Sequence, residues 1–165
     1  MLEGIKRSEP KVNYARQPMT KDLLMAIIRF LPFVCNSNDE MWVFQTAFSV
    51  AYHGILRIGD IAHSGRHSRH VIRIADVSFV WNGLLQVRVP SSKTDQSGIG
   101  CFILLQPQPN PEICPCRLMF SYLEERPPLP GPLCCHFDRS PLNLDCWIFF
   151  GEESFHRGEK TSRWQ

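Results

Sequence analysis

The sequence lacks any apolar run long enough to cross a bilayer, because charged residues or glycines interrupt every hydrophobic stretch well before about 18 residues. Its first ten residues contain no apolar core of the kind that secretory signal peptides need. We therefore expect a chain that neither spans a membrane nor is secreted. Signatures of P-loop proteins, serine hydrolases and dinucleotide-binding proteins are also absent from the sequence.

The chain has little excess of either charge, with a formal net charge of +2. This value neither requires nor excludes a nucleic-acid partner, so any such partner must be inferred from where the charges lie. Its 165 residues, 44% of them hydrophobic, are enough for one domain with a core. Without a signal peptide, most of the seven cysteines are expected to be small, buried, reduced side chains.

Hydrophobic periodicity predicts helices in the first third of the chain. Apolar residues recur at helical spacing from Lys21 to Leu31, with Thr20 as the N-cap and Pro32 ending the run. Asn38 or Asp39 is predicted to cap a second helix, which Gly54 breaks or bends before a short turn over 56–61. A further helix is predicted to begin at Cys114-Pro115 and to end near Glu125.

The pattern changes to the alternation typical of strands after residue 70. Asn82-Gly83 predicts a hairpin turn between two of these strands. A short strand from Leu133 to Phe137 and a helix starting at Ser140-Pro141 are also predicted. The resulting fold class is α+β, a mostly helical single domain with a small three-stranded antiparallel sheet. The alternating segments are Val71–Ile74, Val77–Phe79, Leu85–Val89 and Cys101–Leu105.

Two basic residues are candidates for phosphate chemistry. Arg57 follows an apolar helix and a glycine, where its guanidinium fork can match two phosphate oxygens. Lys93 lies in a polar segment between two predicted strands, where a lysine with a lowered pKa can give a proton to a leaving oxygen. Taken singly, each pattern is more often that of an ordinary solvated side chain.

The order of these motifs resembles the catalytic domain of the tyrosine recombinases (phage-integrase type), in particular those of eukaryotic mobile elements. The similarity spans Pro18 to Leu142, which gives a partial catalytic domain over 19–142 between an arm at 1–18 and a divergent tail at 143–165. It rests on these segments: Gly54-Ile-Leu-Arg-Ile-Gly-Asp60, Ser91-Ser-Lys-Thr-Asp-Gln-Ser-Gly98, Cys114-Pro-Cys-Arg117, Tyr122-Leu-Glu-Glu-Arg-Pro-Pro128, and Gly131-Pro-Leu133 to Ser140-Pro-Leu142.

The resemblance implies a DNA-binding protein of the recombination and integration class. Arg57 would hold the scissile phosphate, Asp60 would support its turn, and Lys93 would protonate the departing 5′ oxygen. The family uses neither metal nor cofactor, because its arginines and lysine neutralise the phosphoryl transition state. The implied partners are duplex DNA and either a second copy of the chain or a full-length recombinase. The implied location is the nucleus in a eukaryote and the cytoplasm otherwise.

The chain departs from the family pattern in its second half. The family completes its site with a His-x-x-Arg segment and a nucleophilic tyrosine near the end, whereas the three tyrosines here are Tyr14, Tyr52 and Tyr122. Ser154-Phe-His-Arg-Gly158 and Arg163-Trp164 resemble the missing segments only faintly. The similarity therefore implies a fragment or truncated copy, whose stable folding is itself an open question and which is unable to cleave DNA alone.

A cluster of basic residues lies between Asp60 and Asp76, where no acidic residue occurs. Arg66, Arg69 and Arg73 are expected to bind DNA phosphates, although a solvated basic loop fits the same pattern. The rival function is a zinc-stabilised interaction module with no DNA role. Its ligands would come from His63, His67 and His70 and from Cys114, Cys116, Cys134, Cys135 and His136, although paired Cys-x2–4-Cys spacing is absent.

Overall fold

The computed structural model describes residues 18–62, 70–90, 99–138, 140 and 142. These residues form a mixed domain of four α-helices and one three-stranded antiparallel sheet. The sheet is the one that the sequence predicts, whereas the segment expected to be a turn over 56–61 contains a short helix. The helices are α1 (Lys21–Phe30), α2 (Asn38–Gly54), α3 (Ile58–Ile61) and α4 (Pro115–Glu125). The strands are β1 (Val77–Val80), β2 (Leu84–Val89) and β3 (Cys101–Leu105).

The first two helices begin at hydroxyl caps. The Thr20 hydroxyl accepts a hydrogen bond from the Leu23 N–H at 3.2 Å, which confirms the predicted start of α1. Ser37, one residue before the predicted cap, does the same for the Glu40 N–H at 3.1 Å. The choice of Asn38 or Asp39 was therefore wrong, because the hydroxyl of the preceding serine already satisfies the first turn.

The sheet is a meander in the order β1-β2-β3. Asn82 and Gly83 both have left-handed φ values, 62° and 72°, which is the conformation that makes Asn-Gly a strong hairpin signal. The register pairs Val80 with Leu84 and Val89 with Cys101, so both connections join antiparallel neighbours. The predicted run of consecutive hairpins is confirmed.

Two predicted strands are not strands. Val71–Ile74 contributes one residue, Arg73, to an isolated antiparallel bridge, and its partner is Pro132, immediately before Leu133–Phe137. On either side, the Leu133 N–H donates to the Ile72 carbonyl at 2.8 Å and the Ile74 N–H donates to the Gly131 carbonyl at 3.1 Å. Alternation over four or five residues does not distinguish such a bridge from a ladder. The predicted arm at 1–18, apart from Pro18, the tail at 143–165 and most of the helix at Ser140-Pro141 lie outside the described residues.

The core lies between α2 and its neighbours, which are α1, α4 and one face of the sheet. Val43, Phe44 and Ala47 at the centre of α2 are fully buried. The predicted burial of cysteines is confirmed for Cys114, Cys116, Cys134 and Cys135. No described helix is long and apolar enough to cross a membrane.

Candidate nucleic-acid interface

Arg57 lies in the turn that leaves α2 and enters α3. Its backbone N–H donates to the Asp60 carboxylate at 2.8 Å, and its carbonyl accepts from the Asp60 N–H at 2.9 Å. The side chain of Arg57 is exposed, and no acidic side chain among the described residues pairs with it. Asp60 therefore fixes the backbone of the turn while the guanidinium remains available to an anion.

Arg73 lies in a second turn of the same design. Its N–H donates to the Asp76 carboxylate at 2.9 Å, and its carbonyl accepts from the Asp76 N–H at 2.9 Å. Its side chain is also exposed and forms no ion pair within the part of the chain that the structure describes. The two segments share the sequence Arg-Ile-x-Asp, and this repeat is the sequence signal that marks Asp76 as the counterpart of Asp60.

One backbone hydrogen bond joins these two arginine turns. The Ile72 N–H donates to the carbonyl of Asp60 at 2.8 Å, immediately before Arg73. A third arginine lies nearby on β2, because an Arg88 guanidinium nitrogen is 3.7 Å from the Asp76 carboxylate. Arg88 thus has an acidic partner, which distinguishes it from Arg57 and Arg73.

The remaining predicted site residues lie outside the described residues. They are Lys93, Arg66 and Arg69, together with His63 and His67. The strands on either side of 91–98 are antiparallel neighbours, as the prediction for Lys93 requires. The recombinase resemblance also implies that Lys93 lies close to Arg57 in space, which stays a prediction.

An apolar groove of about 710 Å³ lies beside Arg57, between α1 and the end of α2. Leu24 and Phe48 belong to its wall, and Ile55 stands at its mouth with 92% of its surface exposed. Ile55 also has a left-handed backbone, φ 51° and ψ 36°, which is rare for a β-branched residue. The chain therefore holds an unfavourable backbone conformation two residues before Arg57.

Comparison with known proteins gives no relative. No family model, curated protein or solved structure matches this chain. No relative therefore supports the roles considered for Arg57 and Arg73, which are argued from the resemblance, the geometry of this chain and general physical chemistry.

Arg126 supports the segment that pairs with Arg73, and sequence reasoning missed it. Only 5% of this residue is exposed, and its guanidinium donates four hydrogen bonds of 2.8–3.1 Å. The acceptors are the carbonyls of Pro127, Leu129, Pro132 and Leu133. The sequence signal was an arginine at a helix end before a proline-rich turn, since prolines offer carbonyls but no N–H.

Tyr122 packs in the core, and its hydroxyl is buried with it. The residue is 1% exposed, and its hydroxyl accepts from the Cys135 N–H at 3.0 Å. The same hydroxyl lies 3.0 Å and 3.2 Å from the carbonyls of Cys135 and Leu133, to which it can donate. Burial raises the pKa of this phenol, and the neighbouring Cys134 thiol adds to the effect. The tyrosine links α4 to the 133–135 segment.

The cysteine thiols considered as zinc ligands make other contacts in the structure. Cys116 donates to the Leu105 carbonyl at 3.3 Å, and the Cys114 sulfur accepts from the Gln108 N–H at 3.3 Å. Cys134 and Cys135 lie instead beside Tyr122. Within the described ranges, no three His, Cys, Asp or Glu side chains are placed to hold a metal ion. The described geometry therefore gives the zinc module no support.

Proposed function

We propose that this chain binds duplex DNA through the phosphate backbone and belongs to the DNA recombination and integration class. The observation that carries the proposal is Arg57, an exposed arginine on a turn that Asp60 fixes, with no acidic partner among the described residues. The guanidinium of an arginine on a fixed backbone presents paired donors that match phosphate oxygens. Arg66, Arg69 and Arg73 extend the same positive surface in the proposal.

The recombinase part of the proposal is supported by the order of elements. A helix and the Arg57 turn precede the three-stranded meander, and Lys93 belongs to the segment between β2 and β3. In this proposal Arg57 holds the phosphate under attack, Asp60 supports the turn, and Lys93 protonates the leaving oxygen. The partners are duplex DNA and either a second copy or a full-length recombinase that supplies the nucleophile.

We further propose that the polypeptide with this sequence binds DNA without cleaving it. A nucleophilic tyrosine must reach a phosphate held by Arg57. The hydroxyl of Tyr122 is buried and hydrogen-bonded, and burial raises its pKa. Tyr52 lies on the core helix α2, where its ring contacts His53 edge-on with centroids 5.0 Å apart. The buried, hydrogen-bonded hydroxyl of Tyr122 does not suit a nucleophile.

Fluorescence anisotropy with a labelled duplex tests the proposal. Four arginines on four phosphates would give a slope of log K against log salt of roughly −3 to −4. Affinity would then fall on the order of a hundredfold between about 50 and 200 mM salt. The Arg57→Ala variant should bind about tenfold more weakly, because it loses a charge-assisted hydrogen bond.

Arg117→Ala is the matched control. Arg117 is exposed on α4 beside Trp42 and Gln45 in the first half of α2, whereas Arg57 lies beyond the far end of that helix. Its removal should change affinity little beyond the loss of one charge. Absence of binding at low salt, or equal losses in the two variants, would refute the proposal.

A further inference from the structure

The two Arg-Ile-x-Asp turns carry an inference about how the phosphates are bound. We propose that Arg57 and Arg73 form one paired site for two neighbouring phosphates of a single strand, with Asp60 and Asp76 as its positioning residues. The inference rests on the proposed DNA binding and deepens it. It assigns a role to Asp76, and it makes the pairing of the turns, rather than the number of basic residues, the basis of the site.

The acids of the two turns act on the backbone. Each carboxylate accepts the N–H of the arginine three residues before it, at 2.8 Å for Asp60 and 2.9 Å for Asp76. Neither lies within ion-pair distance of the guanidinium of its own turn. Each arginine therefore has a fixed backbone and a guanidinium that its own aspartate does not neutralise.

The separation of the two turns suits neighbouring phosphates. The path from Arg57 to Arg73 has three steps. Arg57 and Asp60, three residues apart in a turn, are about 5–6 Å apart; Asp60 and Ile72, joined by a backbone hydrogen bond, about 5.5 Å; and the consecutive residues Ile72 and Arg73 about 3.8 Å. Through the 2.8 Å bond from the Ile72 N–H to the Asp60 carbonyl, the Cα atoms of Arg57 and Arg73 then lie within about 15 Å. Two long arginine side chains can reach across this span to phosphates of one strand, whose spacing is about 3.4 Å when measured along the axis of the duplex.

Burial holds the pair in place. Ile72, whose N–H donates the hydrogen bond between the turns, is 0% exposed, and Ile61, which follows the acceptor Asp60, is 1% exposed. Arg73 is held a second time through its bridge with Pro132, in the segment whose carbonyls Arg126 binds. Relative movement of the two turns would disturb the core, so the spacing of their backbones is set before any ligand arrives.

The inference is tested by whether aspartate variants bind the duplex more weakly or more tightly than the parent. Asp60→Ala and Asp76→Ala each remove a negative charge, which by electrostatics alone strengthens DNA binding. If the aspartates position the arginines, both variants should instead bind the labelled duplex about threefold or more weakly, because the binding-competent turn is less populated. Asp60→Asn and Asp76→Asn change the charge equally but keep an oxygen acceptor for the arginine N–H, so they should bind at least as tightly as the parent.

Glu124→Ala supplies the charge-matched control, since Glu124 is exposed on α4 and should bind as tightly as the parent or more tightly. Arg57→Ala and Arg73→Ala should each reduce the salt slope by about one, and the double variant by about two. Circular dichroism checks that each variant folds. Should the alanine variants of the aspartates unfold, Arg73→Ala still decides whether the second turn contacts a phosphate, because it leaves both caps intact.

The outcomes separate the two proposals. If the parent chain does not bind duplex DNA, the proposed function fails and the paired site fails with it. If the parent binds while Arg73→Ala leaves the salt slope unchanged, DNA binding stands and the paired site is refuted. Folded aspartate-to-alanine variants that bind as tightly as Glu124→Ala would refute the positioning role alone.

Discussion

Replacement of Ile55 by glycine should stabilise the protein, although it removes a whole side chain. Ile55 follows α2 with φ 51°, and the bonds there are those of a Schellman ending. The Leu56 N–H donates to the Ala51 carbonyl at 2.9 Å, and the Ile55 N–H donates to the Tyr52 carbonyl at 3.4 Å. Glycine usually occupies this position, because a Cβ in the left-handed conformation costs about 1–2 kcal/mol.

The expected gain follows from three terms. Ile55→Gly relieves about 1–2 kcal/mol of backbone strain in the folded protein. The greater conformational freedom of glycine in the unfolded chain offsets about 0.5–1 kcal/mol of this stabilisation. The side chain is 92% exposed, so little buried apolar contact is lost. The net stabilisation is about 0.5–1 kcal/mol, which raises the melting temperature by about 1–4 °C in a chain of this size.

Thermal and urea unfolding followed by circular dichroism measure this change. Ile55→Asn should stabilise in the same direction, since asparagine tolerates the left-handed region. Ile58→Gly is the control of opposite sign, because Ile58 is 42% exposed but lies in the helix α3, where glycine costs about 0.5–1 kcal/mol. A lower unfolding midpoint for Ile55→Gly, comparable to that of Ile58→Gly, would refute the left-handed conformation at residue 55.

Three further predictions concern the Tyr122 hydroxyl, the Cys134 thiol and the absence of DNA cleavage. Tyr122→Phe should lower the free energy of unfolding by about 1–3 kcal/mol in urea titrations, because the Cys135 N–H loses its acceptor; an unchanged midpoint would contradict that bond. Burial raises the pKa of Cys134 to about 12, so this thiol ionises little near neutral pH. Iodoacetamide should therefore label exposed Cys101 first and Cys134 only after denaturant is added, as mass spectrometry can verify. A nicked suicide duplex should yield no covalent adduct on denaturing gels, and an adduct abolished by a Tyr→Phe change would disprove the absence of cleavage.

The parts of the fold that the sequence predicts well are those with a local cause. Thr20 caps α1 and Asn82-Gly83 turns the hairpin because each acts within a few residues of itself. The end of α2 shows the limit of such signals. The helix ends at Gly54, which was expected to break or bend it, but the left-handed residue is Ile55. A Cβ at position 54 would come within 3.1 Å of the Leu56 side chain. The glycine serves a close contact that only the folded chain reveals.

Arg57 could be predicted from the sequence as part of the candidate site, but the contacts that hold its surroundings together could not. The position of Arg57 after a helix and a glycine was enough to identify it as a candidate for phosphate chemistry. The link between Asp60 and Ile72 is a long-range backbone bond, to which side-chain identity gives no signal. Arg126 escaped notice for a related reason, since its acceptors are carbonyls that every residue possesses.

That preference for carbonyls has a consequence for how the sequence can vary. The four hydrogen bonds that the Arg126 guanidinium donates all go to backbone carbonyls of the 127–133 segment. Substitutions at an exposed position such as Leu129 should therefore leave these hydrogen bonds unchanged. Lysine at 126 would present one ammonium in place of a planar fork and could not satisfy the same four acceptors. Among homologous sequences, we therefore expect position 126 to stay arginine while residue 129 drifts freely.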